Sequence, residues 1–238
     1  MKIGDFKTYL FNASQELSLI SSVLQKNNSI IEEKNKILPI SKYPFIDGLT
    51  LSGDIKDVVN DGFQSSGEMN KDEEGIAFFP KDSTLLISRE ADNRILEYDM
   101  NGKLTGRELT IPSVFSTATP AYGLEALTYN AQTHRFWTTS ESTLKPDGQQ
   151  ANATNQVKNR LRFQSFDDSF APQEQYAYLM DAAESNPSAS NYAMGVSALA
   201  ALNDGKLLVL EREFVVTSSK IGSFVENKVY CVDPAQSI

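Results

Sequence analysis

The sequence is poor in the residues that usually carry metal and redox chemistry. Cys231 is the one cysteine and His134 the one histidine in 238 residues. A single cysteine excludes an internal disulfide and a thiolate zinc site, and a single histidine excludes any multi-histidine metal centre. Long apolar runs are missing as well, none approaching the ~18–20 residues of a membrane-spanning helix. Positive charge is scarce. Lys and Arg number 22 against 31 Asp and Glu, a net charge of −9, with a pI near 4.7. Such a field repels phosphate backbones and anionic lipid, which argues against nucleic acid and membrane surfaces as partners. There is no Gly-x-Ser-x-Gly nucleophile elbow. The opening Met1-Lys2-Ile3-Gly4-Asp5 lacks a charged stretch followed by an apolar one, so no signal peptide is read there.

What is present is ordinary globular material, with 40% hydrophobic and 22% charged residues. Disordered and fibrous classes drop out, and the chain is long enough to bury a real core. Residues 1–45 stand apart. Leu10, Ala13, Leu17, Ile20 and Leu24 recur at three- and four-residue steps, which predicts a short amphipathic helix. A charged run, Glu32 to Lys36, and Pro39 and Pro44 then mark an extended connector. This segment reads as a helical and extended lead-in, and 46–238 as a separate all-β domain.

Within that domain, short apolar runs alternate with turn signals such as Pro80-Lys81-Asp82-Ser83, Asn101-Gly102 and Asn203-Asp204-Gly205. The strands expected are 76–79, 84–88, 94–99, 124–129, 136–140, 161–166, 196–202, 207–210 and 228–232. The polar stretches 142–160 and 181–194 read as loops. An internal repeat organises these strands. In the first copy Glu74-Gly75-Ile76-Ala77-Phe78 leads to Ile87-Ser88-Arg89-Glu90, and in the second Glu125-Ala126-Leu127-Thr128-Tyr129 leads to Thr138-Thr139-Ser140-Glu141. Each opens on a glutamate, with another sixteen positions later. A third copy runs from Gly195-Val196-Ser197-Ala198-Leu199 to Leu210-Glu211-Arg212, with a hairpin turn taken as two residues shorter. Repeats of about four short antiparallel strands are the pattern of β-propeller blades.

The residues Asp72-Glu73-Glu74-Gly75-Ile76-Ala77, Gly123-Leu124-Glu125-Ala126-Leu127-Thr128 and Leu207-Leu208-Val209-Leu210-Glu211-Arg212 resemble the phytase-like domain family. So do Glu141-Ser142-Thr143-Leu144 and Gly195-Val196-Ser197-Ala198-Leu199. These are bacterial β-propeller proteins described as having esterase-like activity of phytase. The resemblance implies a hydrolase of a small-molecule ester or phosphoester, in the periplasm or outside the cell. It also implies a longer propeller, so the chain reads as a partial one. Ala198 stands where the family pattern often has glutamate, which would remove one acidic ligand.

Blade geometry says where the glutamates go. The first strand of a blade lines the central channel and pairs antiparallel with the second, so the start of one and the end of the other share one end of the hairpin. Glu74 and Glu125, with Glu90, Glu141 and Glu211, are thereby expected to ring one channel mouth. Oxygen ligands alone suit a hard cation such as Ca²⁺. Metal-activated water would then be the mechanism of hydrolysis. Arg212 would grip an anionic substrate or pair with a carboxylate. Such strand-end carboxylates also cap turns through backbone N–H groups, which leaves a non-catalytic binding propeller with structural Ca²⁺ as the alternative. Asp72 and Glu73 read as a solvated edge. His134 falls in a hairpin turn, about 16 Å from the mouth at a strand's rise per residue, and is not a base for it. Phe78, Phe79, Phe136, Trp137, Phe163 and Phe166 are expected to pack between blades.

Overall fold

The computed structural model describes residues 71–184 and 189–236. The helix expected within 1–45, and that whole segment, lie outside the described residues. Everything described is built from antiparallel strands, short 3-10 turns and loops. Three sheets follow one another along the chain. The first holds β1 (Glu73–Phe79), β2 (Thr84–Arg89), β3 (Arg94–Tyr98) and β4 (Leu104–Glu108) in that order. The second repeats the order with β5 (Leu124–Asn130), β6 (Arg135–Ser140), β7 (Arg160–Phe166) and β8 (Pro172–Leu179). The third has three strands, β9 (Ala189–Ala201), β10 (Leu207–Thr217) and β11 (Phe224–Val232). The leading strands β1, β5 and β9 are neighbours in space, β5 in the middle. That succession of short meanders, inner strand beside inner strand, is propeller-like. Among the described residues no helix is long and apolar enough to cross a membrane.

Strand alternation turns one face of each sheet toward the next. Between the first two sheets lie Phe79, Leu86, Ile95, Leu124, Leu127, Phe136, Phe166 and Phe170. Phe79 and Phe136 meet at 5.2 Å between ring centroids, and Tyr129 and Phe136 at 4.4 Å. Tilted aromatic pairs of this kind add to the area they bury. Between the second and third sheets lie Trp137, Phe163, Met194, Val196, Leu199, Val209 and Tyr230. Five of the six aromatics expected between blades are buried; Phe78 is 50% exposed because it takes the opposite face of β1 from Phe79.

The repeat holds down to its turns. Ser83 and His134, the last residues before β2 and β6, both have positive φ, at 53° and 55°. Asn130 shapes the second turn, its side-chain oxygen accepting from the N–H groups of Gln132 and Thr133 at 2.9 and 3.1 Å. The outer strands β4 and β8 escape a hydrophobicity reading because every residue of β4, and most of β8, is exposed. The segment 181–194, expected to be a loop, is strand from Ala189 onward: β9 extends over 13 residues because β10 continues to Thr217 and supplies it a partner.

Candidate active site

Each inner strand carries a β-bulge at the same place. In β1, Glu73 faces Arg89 and Ile76 faces Ile87, so Glu74 and Gly75 stand opposite Ser88 alone. In β5, Leu124 faces Ser140 and Ala126 faces Thr139, which leaves Glu125 as the extra residue. In β9, Val196 faces Glu211 and Ala198 faces Leu210, and the extra residue is Ser197. A bulge bends its strand and re-aims the side chain it carries. Here it turns the glutamates of two blades toward a common volume.

The partners come from the ends of the second strands. Counted from the register pairs Ile76–Ile87, Leu127–Thr138 and Leu199–Val209, the residue three places on is Glu90, Glu141 and Arg212 respectively. Each blade therefore contributes a pair: Glu74 with Glu90, Glu125 with Glu141, and Ser197 with Arg212. Carboxylate oxygens of Asp72, Glu74 and Glu90 lie within 4.8 Å of one another, as do those of Glu90, Glu125 and Glu141. Glu90 belongs to both triads. Arg212 closes the group, its Nη2 3.3 Å from Oε1 of Glu141 and 3.8 Å from Oε1 of Glu125.

Glu211 is not part of this assembly. The third hairpin is one residue shorter than the first two, not two, so Glu211 falls one step early and takes the opposite face of β10. There it accepts hydrogen bonds from the Tyr178 hydroxyl at 2.7 Å and the Asp181 N–H at 3.2 Å. The structure thus brings together Glu74, Glu90, Glu125, Glu141 and Arg212. It adds Asp72, whose exposed carboxylate joins the first triad instead of standing idle at an edge. Glu73 is buried, accepting from the Lys71 N–H at 3.2 Å. The third-blade position that matches Glu125 is Ser197, not Ala198. Aligning Gly195 with Gly123 would have shown this from sequence.

Blade-to-blade contact fixes the carboxylates. The Gly123 N–H donates to Glu90 Oε1 at 2.9 Å, and the Val196 N–H donates to the Glu141 carbonyl at 3.0 Å. The approach is so close that only glycine fits. A Cβ on Gly195 would lie 2.3 Å from the Glu141 carbonyl oxygen, and one on Gly123 would lie 2.5 Å from that of Glu90. Gly123 and Gly195 are thus the joints at which one blade's second strand meets the next blade's first.

Crowding shows in the electrostatics. Burial, reinforced by Asp72, Glu90 and Glu141, pushes Glu74 up to about 8 against the pull of Arg212. Burial and Glu141 push Glu90 up to about 7, opposed by the Gly123 N–H. Glu125 is held well above the carboxylate range by burial, then by Glu141 and Glu74. Glu141 is raised by burial, with Arg212 opposing. Several of these carboxyls therefore hold protons at neutral pH, and a cation would displace them. Tyr122 borders the cluster: its phenol is raised by burial and by Glu141 and Glu90. His134 lies at the far end of its hairpin, 65% exposed, with Nδ1 2.9 Å from Asp168.

The sequence matches the family described as phytase-like, esterase-like activity of phytase, over residues 33–237. The chain belongs to that family. The phytase-like match takes in all three sheets and reaches back into the segment read as a lead-in. No curated protein matches the sequence. Among solved structures, the phytase-like chain is similar to the PQQ-bound aldose sugar dehydrogenase of Streptomyces coelicolor, at 15% identity and a TM-score of 0.37, covering 64% of this chain and 46% of that one. It is similar to the Cps50 (Swd1) β-propeller domain of Myceliophteria thermophila at 11% identity and a TM-score of 0.27, covering 67% and 56%. It is also similar to a gluconolactonase from Xanthomonas campestris at 10% identity and a TM-score of 0.24, covering 70% and 77%. The chain spans about half the length of the first two of these.

Proposed function

We propose that this protein is a hydrolase that cleaves a small-molecule ester or phosphoester with the help of a divalent cation, Ca²⁺, at the acidic mouth. The observation that carries the reading is the pair of carboxylate triads joined at Glu90. The donor set contains oxygen and neither imidazole nor thiolate, which fits a hard cation and not zinc. Glu90, Glu125 and Glu141 would hold the ion in one triad, or Asp72, Glu74 and Glu90 in the other. When bound, the ion supplies charge neutralisation and polarises the oxygen of the scissile bond.

The chain's own residues supply the rest. Arg212, 25% exposed, faces the cluster and can orient an anionic group of the substrate. With the Glu90–Glu125–Glu141 triad occupied, Glu74 remains to hold a proton near neutral pH and deliver it to the leaving oxygen. Glu125→Gln keeps the shape and removes a charge. Calorimetric titration of Ca²⁺ into the full chain is expected to show binding that this variant loses, and turnover of p-nitrophenyl phosphate or acetate should stop with EDTA. Absence of binding by the wild type at millimolar Ca²⁺ would sink the reading.

A second reading has its own support. Glu90 also clasps the Gly123 N–H of the next blade at 2.9 Å, as a purely structural carboxylate would. In that case the protein is a binding propeller whose Ca²⁺ holds blades together. Its signature is a Ca²⁺-dependent melting temperature with no turnover of either ester.

A further inference from the structure

We infer that Ser197 and Arg212 form an anion subsite on the third-blade side of the mouth, built to take a phosphate-like group of the ligand. The inference rests on the cation-assisted reading above and says where the ligand's anionic end sits. Three blades present the same pair of positions to the mouth, the bulge residue and the residue three places past the matched register pair. Two blades fill both positions with carboxylates. The third fills them with a hydroxyl and a guanidinium, so donors replace acceptors on one side of the site only. A cation belongs among the acceptors, and an anion that bridges to it belongs against the donors.

Ser197 gives the independent observation. Its Oγ is shielded from solvent, yet it has no hydrogen-bond partner. A buried hydroxyl left unsatisfied costs about 1–3 kcal/mol, and native structures rarely carry one without a reason. Its strand position explains why the hydroxyl is left over: the bulge removes Ser197 from the ladder between β9 and β10. The same bulge directs Glu74 and Glu125 at the mouth, and in Ser197 it directs an Oγ there. An incoming anion oxygen would accept from that hydroxyl while Arg212, already beside Glu141 and Glu125, turns its remaining N–H groups to the same anion.

The test is calorimetry on the full chain with inorganic phosphate as the probe, in the presence and absence of Ca²⁺. A hydrogen bond to a charged group is worth about 1.5–3 kcal/mol, so Ser197→Ala should weaken phosphate binding at least about tenfold. Its Ca²⁺ affinity and melting temperature should stay at wild-type values. Ser197→Glu restores the carboxylate of the other two blades; it should tighten Ca²⁺ and abolish phosphate binding. Phosphate binding that ignores Ser197→Ala, or no phosphate binding by the wild type, overturns the subsite. Phosphate binding that depends on Ser197 without any Ca²⁺ binding supports the subsite and removes the cation reading. Ca²⁺ binding with phosphate indifferent to Ser197 does the reverse.

Discussion

The first two blades and the third share a backbone and differ in chemistry. Register, bulge and glycine joint recur in all of them, with Gly123 and Gly195 in matching places. Yet the first two contribute glutamate at both mouth positions, and the third contributes serine and arginine. The backbone thus sets where side chains converge, while residue choice sets which charge meets there. Function in such a repeat lies in its exceptions.

The joints give the largest expected effect on that comparison. Gly195→Ala places a methyl group 2.3 Å from the Glu141 carbonyl, and Gly123→Ala one 2.5 Å from that of Glu90. Backbone must move in both, at a cost of about 3 kcal/mol each. Chemical denaturation should show similar losses, because the joints are equivalent. A neutral Gly195→Ala beside a damaging Gly123→Ala would mean that the third blade docks differently from the second.

The acidic half should show itself through pH. Folded Glu90 and Glu74 keep their protons up to about 7 and about 8, while an unfolded chain releases them near the ordinary 4.5. Between those limits the native state binds more protons, so stability is full below the lower value and falls as pH rises through 7 to 8. Melting temperature in EDTA should therefore decline from pH 5 to pH 8, and Ca²⁺ should flatten the decline by taking the protons' place. An EDTA profile that rises over this range would show that the carboxylates ionise freely.

The smallest effect sharpens the contrast. Glu211→Gln should leave Ca²⁺ affinity unchanged, since this side chain binds Tyr178 and the Asp181 N–H on the other face. It should cost stability about 1 kcal/mol, the difference between a charged and a neutral acceptor. Loss of Ca²⁺ binding in that variant would place Glu211 back at the mouth.

The repeat and its hairpins were legible because buried strands must alternate and turns must punctuate them. Sheet edges were not: β4 reads Leu104-Thr105-Gly106-Arg107-Glu108, all of it exposed, and carries no apolar signal. Four of the five metal-site glutamates were placed at one mouth by counting strand positions alone. Glu211 was misplaced because residue type overrode register. The first copy ends Arg89-Glu90 and the third Glu211-Arg212, the same two kinds of residue in opposite order. Matching glutamate to glutamate shifts the third hairpin by one, and a one-residue shift in a strand exchanges its faces. Ser197 was passed over because its significance lies in what it fails to bond, which sequence does not display.

The bulge has a consequence for how this family can diversify. A residue inside a ladder answers to neighbours on its own face, so replacing it disturbs the core. The bulged residue belongs to neither alternation. Glu74, Glu125 and Ser197 show one such place accepting a long acid twice and a short alcohol once, with apolar residues on either side undisturbed. Each blade therefore carries a socket whose occupant can be exchanged separately from the wall that holds it, and new specificities can be tried blade by blade without refolding the molecule.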